Sequence, residues 1–418
     1  MHRGMRVKQP AKLRKEEEKK MSLEPIREAF RRYYKSYSSL VFVPEIKQRE
    51  FMFIDFQGTV MRHKAIRSIE ELRFRLESEA PMHSYYSVAL YEDPGAKDMG
   101  SKGLRSAELL FDIDADLLEV PCRKEHDRWR CESCGSQGTW PAPEECPDCE
   151  SKRIKIFKWI CPSCLEAAKK EAFKLIDILL SDLGIKQEHI LVAYTGNRGY
   201  HIRVREEKAM SLDKVGRREV ADLISGLGID ASALIEKGRG VILPRIEEGG
   251  WRGRFSRLLL SILDGDVPSW VDEGTANYLR SVPRLKEALL EGKKLFGIGS
   301  KAIRMLRGLV TGMGKEMGVK IDVEVTSDPH RFTRIPNSLH GKSGLRAVTL
   351  TPPELEFFDP LAMAIGLKGG DLRIKIVESV PEFGLGRSRF GPYDYGSEVR
   401  LPIEAAAFIV LKGRGILV

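Results

Sequence analysis

Within the stretch Glu108 to Asp116, Glu-Leu-Leu-Phe-Asp-Ile-Asp-Ala-Asp, apolar and acidic side chains alternate from Phe111 onward. Successive side chains of a strand point to opposite faces, so an extended backbone puts Leu109, Phe111, Ile113 and Ala115 against a core and lines up Asp112, Asp114 and Asp116 on the other side. Asp is depleted in strands. Like charges two residues apart on one face repel unless a cation lies between them, and Mg²⁺ and Mn²⁺ are hard ions that take oxygen ligands. A half-buried strand with a solvated acidic face has the same pattern, so the reading depends on what surrounds it. In either case the chain is committed here to a sheet with one face in a core.

The next segment holds all seven cysteines, in the pattern Cys122-x3-His126, Cys131-x2-Cys134, Cys146-x2-Cys149 and Cys161-x2-Cys164. With His126 these make eight ligands, the number that two tetrahedral Zn²⁺ sites require. Cys131, Cys134, Cys146 and Cys149 read as a zinc ribbon. Cys122, His126, Cys161 and Cys164 then close a Cys₃His site at its base, and a chain-order pairing with His126 in the first site is the alternative. An odd number of cysteines in tight groups fits metal ligation in a reducing compartment rather than a disulfide framework. Arg123, Lys124, Arg128, Arg130, Lys152, Arg153, Lys155 and Lys158 surround the ribbon with Trp129 and Trp140, a composition suited to gripping single-stranded nucleic acid.

A chain of 418 residues with 42% hydrophobic content can bury a large core, and Lys plus Arg exceed Asp plus Glu by 69 to 60, which favours a polyanionic partner. No apolar run approaches the roughly 18 residues that span a bilayer, and the charged N-terminus is unlike a signal peptide. A cytoplasmic, intracellular protein is expected. Residues 1–21 are basic with almost nothing apolar and read as a flexible extension. Leu23, Ile26, Phe30 and Tyr33 or Tyr34 have helical spacing behind a Ser22 cap, two strands flank a Gln57-Gly58 turn, and a further helix covers about Ser68–Glu79. Strands are also expected at Tyr85–Tyr91, His189–Tyr194, Tyr200–Arg205 and Val319–Thr326, and helices at Cys164–Leu183 and near the C-terminus. Residues 206–318 read as mostly helical.

Two loops can hold an anion. In Thr195-Gly-Asn-Arg-Gly-Tyr-His the glycines permit positive φ and close backbone approach, and the strand that follows carries His201, Arg203 and Arg205 on one face. Arg334-Ile-Pro-Asn-Ser-Leu-His-Gly-Lys-Ser-Gly places Arg334, His340 and Lys342 in a second Pro/Gly loop, shortly after Asp322 and Glu324. Carboxylates beside cationic groups are what metal-assisted phosphoryl transfer uses.

In Arg49-Glu-Phe, Phe111-Asp-Ile-Asp, the following cysteine/histidine knuckle, Thr195-Gly-Asn-Arg-Gly-Tyr-His and Ile335-Pro-Asn-Ser-Leu-His-Gly-Lys-Ser-Gly, the chain resembles the catalytic small subunit of archaeal- and eukaryotic-type DNA primases, archaeal members most closely. The likeness spans most of residues 22–418. It implies a nucleotidyltransferase that starts short primers on single-stranded DNA, part of a primosome in DNA replication. It also implies Asp112, Asp114 and Asp322 as the Mg²⁺ or Mn²⁺ triad, Arg198, His201, Arg334 and His340 on the triphosphate, Arg62 near the incoming nucleotide, and a separate large subunit as partner. A gap-filling or lesion-bypass polymerase of the same superfamily, or a non-catalytic zinc-ribbon nucleic-acid-binding protein, are the other readings. The expected fold is mixed α/β, a primase-type core with a mixed sheet and flanking helices. The core takes 22–121, 165–205 and 319–418, the zinc insertion 122–164, and the helical subdomain 206–318.

Overall fold

The structure, a computed structural model, describes residues 23–238 and 240–418, so the basic extension 1–21 and the Ser22 cap lie outside it. α1 (Glu24–Tyr37) buries Ile26, Phe30, Tyr33 and Tyr34 along one face. β1 (Glu50–Ile54) and β2 (Val60–Ala65) form a hairpin. At its turn the Asp55 carboxylate accepts from the Gln57 and Thr59 N–H groups. α2 (Ile69–Glu79) begins at Ser68, whose hydroxyl accepts from the Glu71 N–H. Then come β3 (His83–Ser87) and the acidic strand β4 (Leu109–Asp114). The metal-ligand block and α3 (Pro162–Asp177) follow it.

Strands β5 (Ile190–Tyr194) and β6 (Gly199–Val204) precede α4 (Lys214–Ile224). After a helical region come the short α5 (Val323–Ser327), β7 (Phe332–Arg334), β8 (Val348–Leu350) and finally α6 (Ile403–Leu411). The strands that matter for function lie in two four-stranded sheets, ordered β7-β3-β1-β2 and β8-β5-β6-β4. The α/β class agrees with expectation, but every pairing in these sheets is antiparallel rather than mixed. The helical crossovers β2–α2–β3 and β4–α3–β5 each join parallel strands that have an antiparallel strand between them, β1 in one sheet and β6 in the other, so no two neighbours are parallel.

The two sheets share one core, with Phe51, Phe111, Ile113, Tyr194, Tyr200 and Ile202 among its fully buried residues. A buried ionic cluster also joins them. Arg49, at the start of β1, donates to Glu108 (2.5 Å) and to the carbonyls of Ser87 and Val88. Arg203 of β6 donates to the other Glu108 oxygen (2.8 Å). Burial alone would raise the Glu108 pKa, but Arg203, Arg49 and Arg205 hold it below the ordinary value. Arg203 and Arg205, read from the sequence as a free cationic face, are therefore spent on Glu108, with Arg205 also paired to Glu45.

A second hydrophobic cluster, with Leu243, Phe255, Leu259, Leu279, Leu306 and Met313, lies within the helical region. Ala221 and Ile224 of α4 instead belong to the main core. The apolar α6 is buried along nearly its whole length and is flanked by a three-stranded sheet of Asp371–Ile376, Glu398–Pro402 and Gly415–Leu417.

Two local expectations change. Asp116 leaves the acidic strand in a 3₁₀ turn, Ala115–Leu117, because the Asp114 carboxylate accepts from the Asp116 N–H (2.9 Å) and bends the chain. Val319–Thr326 is not a strand. Asp322 caps α5 by accepting from the Glu324 and Val325 N–H groups, a local side-chain bond that overrides the β-branched pattern.

Candidate active site and metal centres

Two of the three implied carboxylates come from one strand and the third from far along the chain. Asp112 and Asp114 share the half-exposed face of β4. The Asp322 N–H donates to the Asp112 carbonyl (3.1 Å), a backbone bond that fixes the start of α5 beside the strand. Burial, then Asp114, then Asp322 push the Asp112 carboxyl from its ordinary 3.8 up to about 7. That negative charge, offset only in part by Arg331 and presented by oxygen atoms, fits a hard divalent cation.

β6 is the neighbouring strand of the same sheet, with His201 paired beside Asp112 and Gly199 beside Asp114. The approach is close enough that a Cβ on Gly199 would lie 1.9 Å from the Ile113 carbonyl oxygen, so this position admits only glycine. His201 faces the Thr333 hydroxyl through Nδ1 (2.9 Å) and Asp112 through Nε2 (3.5 Å). Burial, with Arg334 and Arg203, lowers its pKa to about 3, so the imidazole is neutral.

The Thr195–Tyr200 turn and the Arg334–Gly344 loop pack backbone to backbone. Gly196 has φ +84°, a Cβ there would meet His340 and Leu345, and its carbonyl accepts from the Ser343 hydroxyl. His340 Nδ1 accepts from the Lys342 N–H (3.0 Å), which leaves Nε2 to carry the proton. Burial, Arg334, His83, Lys412 and Lys342 all hold His340 neutral. Arg334 donates to the Tyr85 hydroxyl (2.9 Å) and to His83 Nδ1 (3.2 Å), while its buried Nη1 has no partner among the described residues. An unpaired buried guanidinium N–H beside two neutral imidazoles is suited to an anion. Arg62, on β2, is about half exposed and lies over the Phe332 ring at 5.3 Å.

Arg198 is placed differently from its neighbours. Its side chain is buried, with Nη1 2.9 Å from Asp116 and 3.5 Å from Asp127, and Nη2 directed at the Cys164 sulfur. It thus connects the end of the acidic strand to the metal-ligand block. His83 and Lys412 stand at the site without having been signalled by any motif. His83 could have been noticed only as a lone histidine opening a strand, and Lys412 only as the first polar residue after an apolar helix.

The eight metal-ligand candidates sort into the nested pairing, not the chain-order one. Cys122, His126, Cys161 and Cys164 form one group and Cys131, Cys134, Cys146 and Cys149 the other, each with its ligand atoms within 4.8 Å of one another. The close sulfur pairs, 3.4–3.6 Å apart, are too long for disulfides. They approach the ~3.8 Å edge of a tetrahedron with ~2.3 Å metal–sulfur bonds. His126 presents Nε2 to Cys164 and pairs Nδ1 with Asp127 (2.8 Å), the carboxylate support that metal-bound imidazoles commonly have. The aromatic-cation surface read for the ribbon is consumed in part: Trp129 is buried, Arg123 stacks on Trp140 at 3.5 Å, Arg130 pairs with Glu378 and Lys158 with Asp116, while Lys124, Lys152, Arg153 and Lys155 stay exposed.

A family model described as DNA primase small subunit matches residues 158–352. The DNA primase small subunit PriS of Cenarchaeum symbiosum is 33% identical over 392 residues, covering 92% of this chain and 96% of that protein. The same subunit of Pyrobaculum calidifontis is 32% identical over 348 residues, covering 83% and 85%. Among solved structures, the polymerase domain from Mycobacterium tuberculosis Ligase D in complex with DNA aligns at 13% identity with a TM-score of 0.35, covering 81% of this chain and 85% of that one.

Proposed function

The chain belongs to the DNA primase small-subunit family and is a primase catalytic subunit, a nucleotidyltransferase; from that premise we propose that primers start on the face of β4 and β6 that carries Asp112 and His201, beside the Arg334–Gly344 loop. Asp112, Asp114 and Asp322 would hold Mg²⁺ or Mn²⁺. When bound there, such ions neutralise phosphate charge and make a 3′-hydroxyl a better nucleophile. His201, held neutral between Thr333 and Asp112, would donate Nε2–H toward a bound nucleotide as readily as toward the carboxylate. His340 Nε2–H and the free Nη1 of Arg334 would take triphosphate oxygens, and Arg62 would approach the same nucleotide from β2. For Arg198 the triphosphate role is proposed together with a positioning one, since it grips Asp116 and Asp127.

Both cysteine groups would bind Zn²⁺ as structural sites, all four positions being filled by protein. The catalytic unit would comprise 22–121, 165–205 and 319–418, with 122–164 as the zinc insertion and 206–318 as the helical subdomain, whose first helix, α4, packs into the main core. Single-stranded DNA is the proposed template and a large subunit the proposed partner, in an intracellular setting. No helix among the described residues is long and apolar enough to cross a membrane.

The observation that carries this reading is the convergence of Asp322 on Asp112 and Asp114, beside His201 and next to the His340 loop. The test is synthesis on an unprimed single-stranded template with nucleoside triphosphates and Mn²⁺. New chains support it. Extension of supplied ends alone points to a gap-filling polymerase, and a mobility shift without synthesis to a binding protein.

A further inference from the structure

Lys412 follows directly on α6, whose apolar residues exist to be buried, yet its amine reaches the Thr195–Tyr200 turn. Its Nζ donates to the Asn197 side-chain oxygen (2.7 Å) and lies 5.8 Å from the Phe408 ring. Among the described residues that neutral amide is its one polar side-chain partner, with no carboxylate in ion-pair contact. Burial, then Arg198 and Lys342, hold its pKa well below the ordinary lysine value, while Asp114 and Asp116 act to raise it. His340 is near enough to feel Arg334, His83, Lys412 and Lys342.

The position is built, not incidental. Leu411 packs toward Gly344 of the anion loop. Arg414, two residues on, is buried, stacks on Trp159 at 5.0 Å, and donates to the carbonyls of His126 and Phe157 (3.0 Å for the latter). A lysine held by packing on both sides has Arg198 and the exposed Lys342 as cationic neighbours and no carboxylate in ion-pair contact, Asp114 and Asp116 offsetting them only from beyond that distance. Such an arrangement is costly unless a polyanion enters it.

We infer that Lys412 is a further phosphate-binding residue of this site, exchanging the Asn197 amide for an oxygen of the bound triphosphate and so tying the C-terminal helix to nucleotide occupancy. This rests on the reading of the His340 and Arg334 loop as the triphosphate site. It assigns a positioning role in nucleotide binding, not one in bond making.

The experiment compares wild type with Lys412→Gln, which keeps a donor for Asn197 but removes the charge, and with Lys412→Arg. Affinities are measured for a nucleoside triphosphate, the matching monophosphate and inorganic tripolyphosphate on the full chain, alongside primed-template kinetics. The expected result is a rise of about tenfold (~1.4 kcal/mol) in the Gln variant's KM and triphosphate Kd. Monophosphate binding should move much less, kcat should change by less than about threefold, and the Arg variant should recover most of the loss. An unchanged triphosphate Kd in a Gln variant with wild-type melting behaviour overturns the inference, as does an equal loss for both nucleotides.

If the Gln variant does not fold, the wild-type chain decides. Amine-selective labelling of Lys412, read by peptide mass spectrometry, should be suppressed by tripolyphosphate, and labelling indifferent to it overturns the proposal. A wild-type chain that binds no triphosphate at all would remove the underlying site assignment, an outcome distinct from failure at Lys412 alone.

Discussion

Replacing Asp112 with Asn separates the electrostatic cost of the acidic strand from its use. In the metal-free chain the Asp112 carboxyl has moved from 3.8 to about 7. At ~1.4 kcal/mol for each tenfold change in proton affinity, the full displacement corresponds to a ceiling of ~4 kcal/mol. The side chain is 29% exposed, so solvent screening reduces the working figure to about 2 kcal/mol. The sign follows from proton counting. Between about pH 4 and pH 7 the native state keeps a proton that the unfolded chain releases, so wild-type stability falls as pH rises through that window.

Asn has the same shape and no charge, so Asp112→Asn should melt higher than wild type at pH 8 in EDTA, by roughly 4–8 °C on a scale of about 2–4 °C per kcal/mol. The advantage should shrink toward zero near pH 4. Mn²⁺ should stabilise wild type by mass action and the variant far less, and primer synthesis by the variant should be lost. The assay is thermal unfolding followed across pH 4–8 with and without Mn²⁺, paired with synthesis on unprimed template. A variant less stable than wild type at pH 8 in EDTA, or a gain that ignores pH, would refute the electrostatic argument, and retained synthesis would refute the metal assignment.

His340→Ala should raise the KM for nucleotide by about tenfold or more through loss of one charge-assisted contact, with little change in melting; an unchanged KM would take the triphosphate away from that loop. Arg198→Ala should differ by also lowering stability, by about 3 kcal/mol, because Asp116 and Asp127 lose their shared buried cation, and equal melting of the two variants would show the clamp to be idle. Elemental analysis should find two Zn²⁺ per chain, with Cys131→Ser losing one and keeping primed extension, while Cys164→Ser is harsher because the Cys₃His group backs Arg198; a single Zn²⁺ in the intact chain sinks the two-site reading. Glu108→Gln should destabilise by about 3 kcal/mol or more, as Arg49 and Arg203 are left buried with half their charge unanswered, and a shift under about 1 kcal/mol in denaturant melts would mean that the sheets are held together by packing alone.

Several features were legible in the residues because the physics behind them is local. Alternation at Phe111–Asp114 has the two-residue period of a strand, so the shared face of Asp112 and Asp114 followed without a fold. Four Cys-x-x-Cys or Cys-x3-His groups carry their own ligand chemistry, although only the folded chain chose the nested pairing over the chain-order one. Asp116 looked like a third member of the acidic face until its N–H met the Asp114 carboxylate, a bond that competes with the strand over two residues and wins.

Other features have no local signature. Asp322 reaches the site through one backbone bond to Asp112 across more than two hundred residues, and its neighbours read as strand because side-chain capping was invisible in a β-branched run. His201, Arg203 and Arg205 look alike in sequence. Burial divides them, giving His201 to Asp112 while Glu108 takes both arginines, because a charge withdrawn from water must take the nearest counter-charge. Lys412 belongs to the site only because α6 packs where it does, and a lysine after an apolar helix is the same text wherever that helix ends up.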